Sequence, residues 1–352
     1  MRIAAYALLS LLAGCSRATC RGGAEPTPPS VPLPVPAPSA SAPPSPSASA
    51  SADPGEIADG PVLERLEVLR RGGRTLAIQP PSEQEERAFE AWIVAVAKAA
   101  VAGGPPPERA PRGFELKEIE GGLWVLAEKG KKRRGAGAFV VRVGRAAPLL
   151  VEAPHTFFDQ GTLPLATSLF EAQRARALLI NTAHRYGGKP KPPDVPEEEE
   201  EEEEGEPADA GARRAPPPPS DVAHAERSFF QAAHRGLLEA LPGVPTVQLH
   251  GFQDISAPDV SVIVSASRGR ADLEVLLGPL RAALPDREIR AYPTGIKKLG
   301  GELNMQARWS ASKGAPFYHL ELSRSIRDVL VEDRKVRRRF VESFSALAAP
   351  RR

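Results

Sequence analysis

The chain has 352 residues, and its 38 prolines are concentrated, with eleven in 26–54 and nine in 187–220. Setting those two stretches and a short N-terminal segment aside leaves roughly 260 residues of ordinary globular composition, enough for one large domain with a sizeable core. The net charge of +2 hides an acidic 187–220, with four basic and eleven acidic residues, on a body that carries the balance of +9. Without a recognition-helix or aromatic-stacking pattern, that body reads as dispersed arginine on a solvated surface, not as a nucleic-acid interface. The absence of a glycine period, a sustained heptad and an 18-residue apolar run excludes collagen, coiled coil and a polytopic membrane protein.

Arg2 precedes the apolar run Ile3–Leu12, and small residues follow. This describes an export signal over 1–14, too short to span a bilayer. The tetrad Leu12-Ala13-Gly14-Cys15 resembles a bacterial lipobox. That resemblance implies cleavage before Cys15, its diacylation, and anchoring in the cell envelope. Ser16 in the next position points to the outer membrane. With Cys15 taken by lipid, Cys20 has no partner in the chain, so any metal must be held by histidine and carboxylate. Residues 15–60 are rich in Pro, Ala and Ser, with no aromatic side chain from Glu25 onward. Such a segment buries too little apolar area to offset its ordering entropy and is expected to be a disordered tether.

The domain 61–352 opens with Val62–Leu69, a short helix or strand. Ser82-Glu83-Gln84-Glu85 is a capping box that starts an amphipathic helix through Phe89, Trp92, Ile93 and Val96, stopped by Gly103-Gly104. Strands are predicted at Phe114–Ile119, Leu123–Ala127, Ala138–Val143 and Leu149–Ala153, with a basic hairpin tip at 129–134. A helix Leu163–Arg176 and a strand Ala177–Thr182 follow. The insertion 187–220, with its eight-glutamate run Glu197–Glu204, is expected to be disordered because like charges resist compaction. Asp221 is then read as the cap of a helix running to Leu241. Strands Thr246–Leu249 and Val260–Ser265, helix Ala271–Leu284, strands Glu288–Ala291 and Phe317–Leu322, and a last helix from about Ser325 complete the pattern. Strands alternating with helices predict an α/β fold: a mixed, mainly parallel sheet flanked by helices.

In such sheets function collects at the carboxyl ends of the strands. One strand runs into Pro154-His155, with Asp159 four residues on, and another ends in His250-Gly251. A third carries His319 and Glu321, which period-2 alternation places on one face, opposite Tyr318 and Leu320. Two histidines and a carboxylate are the ligand set of hydrolytic zinc sites, which keep a fourth position open. His155, Asp159 and His250 are therefore the candidate metal ligands.

The stretch from Pro154-His155 through Asp159 to Gly161-Thr162, and Leu179-Ile180-Asn181-Thr182-Ala183-His184-Arg185-Tyr186, resemble the first half of zinc hydrolases with the carboxypeptidase-like (phosphorylase/hydrolase-like) α/β fold. The N-formylglutamate amidohydrolases are similar in their Pro-His strand end, a later Asn/Arg segment, a His-x-x-Leu helix (here His234 to Leu237), a strand ending in histidine and a late His-x-Glu strand. The segment around His155 also resembles phage poly-γ-glutamate hydrolases. These resemblances imply a zinc-dependent amidase or peptidase. Its ligands would be His155, Asp159 and His250, its general base and then acid Glu321, with Arg185 meeting a substrate carboxylate and His184 lining the cleft. The spacing His-x3-Asp departs from the carboxypeptidase His-x2-Glu, so Glu171 stands as the alternative carboxylate ligand. His224 is expected to be exposed and without function, and the loop from Tyr292 to Gly301 to be a long connection. No Gly-x-Ser-x-Gly elbow, Gly-x-Gly-x-x-Gly or P-loop occurs, which disfavours serine hydrolase and nucleotide chemistry.

The expected protein is a lipid-anchored enzyme with one zinc ion, acting on a small-molecule or peptide amide. Its membrane contact is confined to the anchor, and it needs no nucleic acid or obligate protein partner. The alternative is a non-catalytic envelope lipoprotein that binds a ligand in the same cleft.

Overall fold

In a computed structural model of the chain, residues 60–130, 132–187 and 218–349 are described. The expected signal segment, Cys15, the tether up to residue 59 and residues 188–217 of the insertion lie outside them. Helix α1 (Pro61–Arg70) resolves the helix-or-strand alternative. Proline occupies its first turn, where an absent N–H costs nothing. Helix α2 (Glu83–Ala102) starts at the expected capping box: Ser82 Oγ accepts from the Glu85 N–H at 3.2 Å and the Glu85 carboxylate from the Ser82 N–H at 2.9 Å. Strands β1 (Phe114–Ile119), β2 (Leu123–Glu128) and β3 (Ala138–Arg142) form an antiparallel meander. The basic connection between β2 and β3 is anchored, since the Glu128 carboxylate accepts backbone N–H groups from Arg134, Gly135 and Ala136. The Arg134 guanidinium also reaches Glu85 at 2.6 Å.

Strand β4 (Ala147–Ala153) is followed by α3 (Thr162–Ala172) and β5 (Ala175–Ile180). Helix α3 ends earlier than its apolar pattern suggests, because Arg174 takes a left-handed φ of 49° and turns the chain into β5. The helix expected from Asp221 begins only at α4 (Phe229–Ala240), capped by Ser228 Oγ on the Gln231 N–H. Then come β6 (Thr246–Phe252), β7 (Val262–Ala266), α5 (Arg270–Ala283), β8 (Ile289–Ala291), α6 (Met305–Ser312), β9 (Phe317–Ser323), α7 (Arg324–Glu332), α8 (Arg334–Glu342) and α9 (Ser345–Ala348). Helix α6, between glycine-rich segments, is the element that the sequence pattern does not reveal.

The sheet order is β1-β2-β3-β5-β4-β6-β9-β7-β8. Strands β5, β4, β6 and β9 run parallel, and antiparallel pairings join β3 to β5 and β9 to β7. From β4 the chain moves through α3 to β5 on one side, and from β5 it passes through α4 to β6 on the other side of β4. These helices cover opposite sheet faces: α3 packs with α1, α5, α7, α8 and α9 against Val151, Leu249 and Leu320, whereas α4 packs with α2 against Leu150 and Leu179. The carboxyl end of β4 is thus the topological switch point, where an open α/β sheet leaves a crevice. On the α2/α4 face the apolar cover ends at Leu150. The next positions on that face are Glu152 of β4, Gln248 and His250 of β6, and His319 and Glu321 of β9, all buried.

The ends of the insertion are drawn together, since Ser220 Oγ donates to the Arg185 carbonyl and Asn181 Nδ2 to the Ser220 carbonyl at 3.3 Å. The described chain thereby bridges the interruption beside the strand ends. No helix among the described residues is long and apolar enough to cross a membrane.

The capping box has a measurable pH signature. The Arg134 side chain, followed by the Ser82 N–H, holds the Glu85 pKa down at about 2 against an ordinary 4.5. A lowered folded-state pKa stabilises above the unfolded value and ceases to do so as pH falls toward the folded one. In urea unfolding, the stability gap between wild type and Glu85→Gln should be flat above about pH 5 and shrink between about pH 4.5 and 2. A gap that widens on acidification would contradict the assignment.

Candidate metal centre

His155 lies two residues beyond the carboxyl end of β4, where the chain enters a tight turn. The N–H groups of Phe158 and Asp159 both return to the His155 carbonyl, at 2.9 and 2.8 Å, so Asp159 lies one turn on and over the histidine. The Asp159 carbonyl takes the Thr162 N–H and hydroxyl, which joins the turn to α3. His250 and Glu321 are register partners on the parallel strands β6 and β9. The buried Arg327 of α7 clamps these pieces, donating to the carbonyls of Gln160, Phe252 and Ser323. Its guanidinium lies where a Cβ on Gly251 would sit, at 2.4 Å from Cζ, so a side chain here would displace the guanidinium.

The result brings three predicted ligands together. Asp159 Oδ2 stands 3.6 Å from His155 Nδ1 and 3.7 Å from His250 Nδ1, with all three residues at most 3% exposed. Donors on a tetrahedral ion at about 2.0–2.2 Å stand roughly 3.4 Å apart, close to this spacing. His155 Nε2 is 2.9 Å from Asp221 Oδ1, and His250 Nε2 is 2.6 Å from Gln248 Oε1. When both rings are neutral, with their Nε2 protons directed at these acceptors, both Nδ1 atoms point lone pairs at Asp159 Oδ2, which is buried and accepts no hydrogen bond. Three lone-pair donors facing one another without a proton between them repel unless a cation lies among them. A carboxylate on the far nitrogen of an imidazole is also the usual outer support of a metal ligand. The donor set therefore fits a divalent metal.

The electrostatics follow this arrangement. Burial lowers the His155 pKa, but the Asp221 charge and the Asp159 and Asp221 carboxylates facing its ring nitrogens outweigh it and hold His155 above the ordinary histidine value. Asp221 is pushed up by burial and then held well below the carboxylate range by Arg185 and His155. Burial, reinforced by His319 and His155, drives His250 far below its ordinary value, so it is neutral.

A second donor group surrounds Glu321. Its Oε1 lies 3.4 Å from His319 Nε2 and 4.0 Å from His250 Nδ1. His250 belongs to both groups, so they adjoin. A cavity of about 560 Å³, lined among others by Tyr292, Gly301, Glu302 and Arg308, reaches this cluster only at His319.

The other expected site residues have neighbours of their own. Arg185, expected to face a substrate carboxylate, meets a carboxylate of its own chain: Nε and Nη2 lie 3.0 and 2.9 Å from Asp221 Oδ2. His184 stays outside the donor groups, its ring packed with those of Phe157, Phe158 and Tyr186, and burial followed by Arg74 lowers its pKa. Glu171 is excluded as a ligand by its 2.7 Å ion pair with Arg142. His224 is half-buried and engaged, with Nδ1 at 3.0 Å from Asp221 Oδ2. Asp221, read as a helix cap, instead joins His155, Arg185 and His224. Residues 221–228 hold a turn in which the Asp221 carbonyl accepts from the His224 and Ala225 N–H groups, and the helix starts only after it. A polar residue in an otherwise apolar strand, as in Leu149–Ala153 and Thr246–Leu249, was the available signal for Glu152 and Gln248.

Equilibration with a divalent metal should give about one ion per chain by mass spectrometry. Asp159→Ala should abolish retention, and Asp221→Asn should weaken it about 10–100-fold. Equal retention in wild type and Asp159→Ala would contradict the ligand set.

No protein-family model matches the chain, and no curated protein matches it. Solved structures similar to it include N-formylglutamate amidohydrolase from Ralstonia eutropha JMP134 (11% identity, 59% of this chain and 97% of that one, TM-score 0.35). Others are a metallo-carboxypeptidase from Burkholderia cenocepacia (14% identity, 77% and 68%, TM-score 0.30) and the LapA aminopeptidase of Legionella pneumophila (12% identity, 85% and 73%, TM-score 0.36). The first two carry the names of families that the sequence motifs resemble.

Proposed function

We propose that the chain is a zinc-dependent hydrolase of amide bonds, held in the cell envelope by a lipid on Cys15. Its substrate class is a cell-wall peptide, a γ-glutamyl compound or an N-acyl amino acid. The observation that carries this reading is the convergence of His155 Nδ1, Asp159 Oδ2 and His250 Nδ1 beside a buried glutamate that is not needed as a ligand. Two imidazoles and one carboxylate suit zinc and leave a coordination position open, as catalytic sites do. Bound there, zinc supplies Lewis-acid activation of water and of the scissile carbonyl.

The chain's own residues do the rest. Glu321, within 4.0 Å of His250 Nδ1, is placed to take a proton from water at Oε1 and return it to the departing amine. His319 lies against the same oxygen and keeps it directed toward His250. Asp221 holds the His155 ring, and Arg185 and His224 hold Asp221. Arg185 thus acts on the support of the centre and not on the substrate.

The test is hydrolysis of a panel of N-acyl amino acids, γ-glutamyl peptides and cell-wall peptides by zinc-loaded protein. Activity should disappear with a chelator and return with zinc. Glu321→Gln should lower kcat by about 10²–10⁴-fold, the usual worth of a general base, with zinc content unchanged. Cleavage that survives chelation, or a zinc-loaded protein that leaves every substrate intact, would overturn the reading. The second outcome is the one expected of a ligand-binding lipoprotein.

A further inference from the structure

Beneath the metal centre lies a buried polar chain that the proposed chemistry does not use. Gln248 is the register partner of Glu152 on one side and of His319 on the other. Its Nε2 donates to Glu152 Oε2 at 2.8 Å and to Gln306 Oε1 at 3.2 Å, and its Oε1 faces His250 Nε2 and accepts from Asn304 Nδ2. Glu152 is fully buried, with its other oxygen 2.7 Å from His234 Nδ1, and His234 Nε2 lies 3.0 Å from Ser310 Oγ.

An amide can be turned over to exchange its oxygen and nitrogen, so its orientation must be derived from groups that cannot turn. Two backbone groups supply this. The Ala307 N–H can only donate, and it donates to Asn304 Oδ1, which directs the Asn304 amino group at Gln248. The Val222 carbonyl can only accept, and it accepts from Gln306 Nε2, which directs Gln306 Oε1 at Gln248. Both constraints demand one orientation of Gln248, with oxygen toward Asn304 and His250 and amino group toward Gln306 and Glu152. A carbonyl oxygen against His250 Nε2 requires a proton there and leaves Nδ1 bare.

We propose that Gln248 is a positioning residue of the metal centre: locked by Asn304, Gln306 and Glu152, it fixes His250 as the Nε2–H tautomer and so selects Nδ1 as the metal-binding atom. This rests on the assignment of His250 as a ligand and goes beyond it by naming the device that prepares the ligand before metal arrives. Helix α6 thereby has a function, since its N-cap Asn304 and its Gln306 carry the backbone's directionality into the site.

The test uses the full chain labelled with ¹⁵N-histidine, in chelator and then with zinc, with the His250 signals assigned from His250→Ala. Two-bond ¹H–¹⁵N spectra of the metal-free wild type should show His250 as a single Nε2–H tautomer. Gln248→Met, which removes the acceptor at similar volume, should give a mixture and weaken zinc binding about 10–100-fold in competition with a chromophoric chelator. Asn304→Asp keeps an oxygen for the Ala307 N–H but withdraws the amino group, and should raise the Nδ1–H population. Leu150→Ala, on the same face of β4, should lower stability while leaving the tautomer as in wild type. An Nδ1–H tautomer in wild type, or a tautomer and zinc affinity unchanged in Gln248→Met, would overturn the proposal. If wild type takes up no zinc, the hydrolase reading fails, while the metal-free spectra still decide the role of Gln248.

Discussion

The structure depends on an electrostatic conflict among three side chains. His155 Nδ1, Asp159 Oδ2 and His250 Nδ1 face one another with all three residues nearly excluded from water. Such a cluster is costly to bury without a positive charge at its centre. A proton on His155 partly relieves it, which is why the Asp159 and Asp221 carboxylates favour that proton despite burial. A divalent cation relieves it fully, and the surroundings are built for one. Each imidazole has its far nitrogen on a side-chain acceptor, each acceptor is held in turn, and Arg327 ties the strands and the turn that carry the three residues.

The sheet explains why the conflict arises at this place. Parallel strands β4, β6 and β9 end on one edge, and the chain leaves the adjacent strands β4 and β5 toward opposite faces of the sheet. The crevice this opens is filled by polar side chains at alternate strand positions, where the α2/α4 face would otherwise continue as hydrocarbon. Members of the polar stripe satisfy one another across and along the strands, Gln248 donating to Glu152 and accepting from His250. A half-satisfied network here would be worse than an apolar core.

Much of this was legible in the sequence because it follows local rules. The Ser82–Glu85 box, the left-handed Gly103 stop and the period-2 faces of β6 and β9 need only neighbours along the chain, and they place His155, His250 and Glu321 at strand ends. What was not legible depends on partners distant in sequence. Asp221 has the form of a helix cap, and only the folded chain shows its carboxylate on His155, 66 residues away. Arg185 looks available for substrate until that same carboxylate is placed. Gln248 is a lone polar residue in an apolar strand, and its role requires Asn304, 56 residues later, on a helix that carries no strong pattern of its own. Glu171 reads as a possible ligand because sequence distance does not show that Arg142 occupies it.

The central claim is that the two imidazoles and the Asp159 carboxylate bind one metal ion in common. X-ray absorption at the zinc edge of the zinc-loaded full chain tests it most directly. The account predicts a first shell of nitrogen and oxygen near about 2.0–2.1 Å, with multiple scattering from two imidazoles and no sulfur. A shell lacking imidazole scattering, one dominated by three or four imidazoles, or one containing sulfur at about 2.3 Å would contradict it.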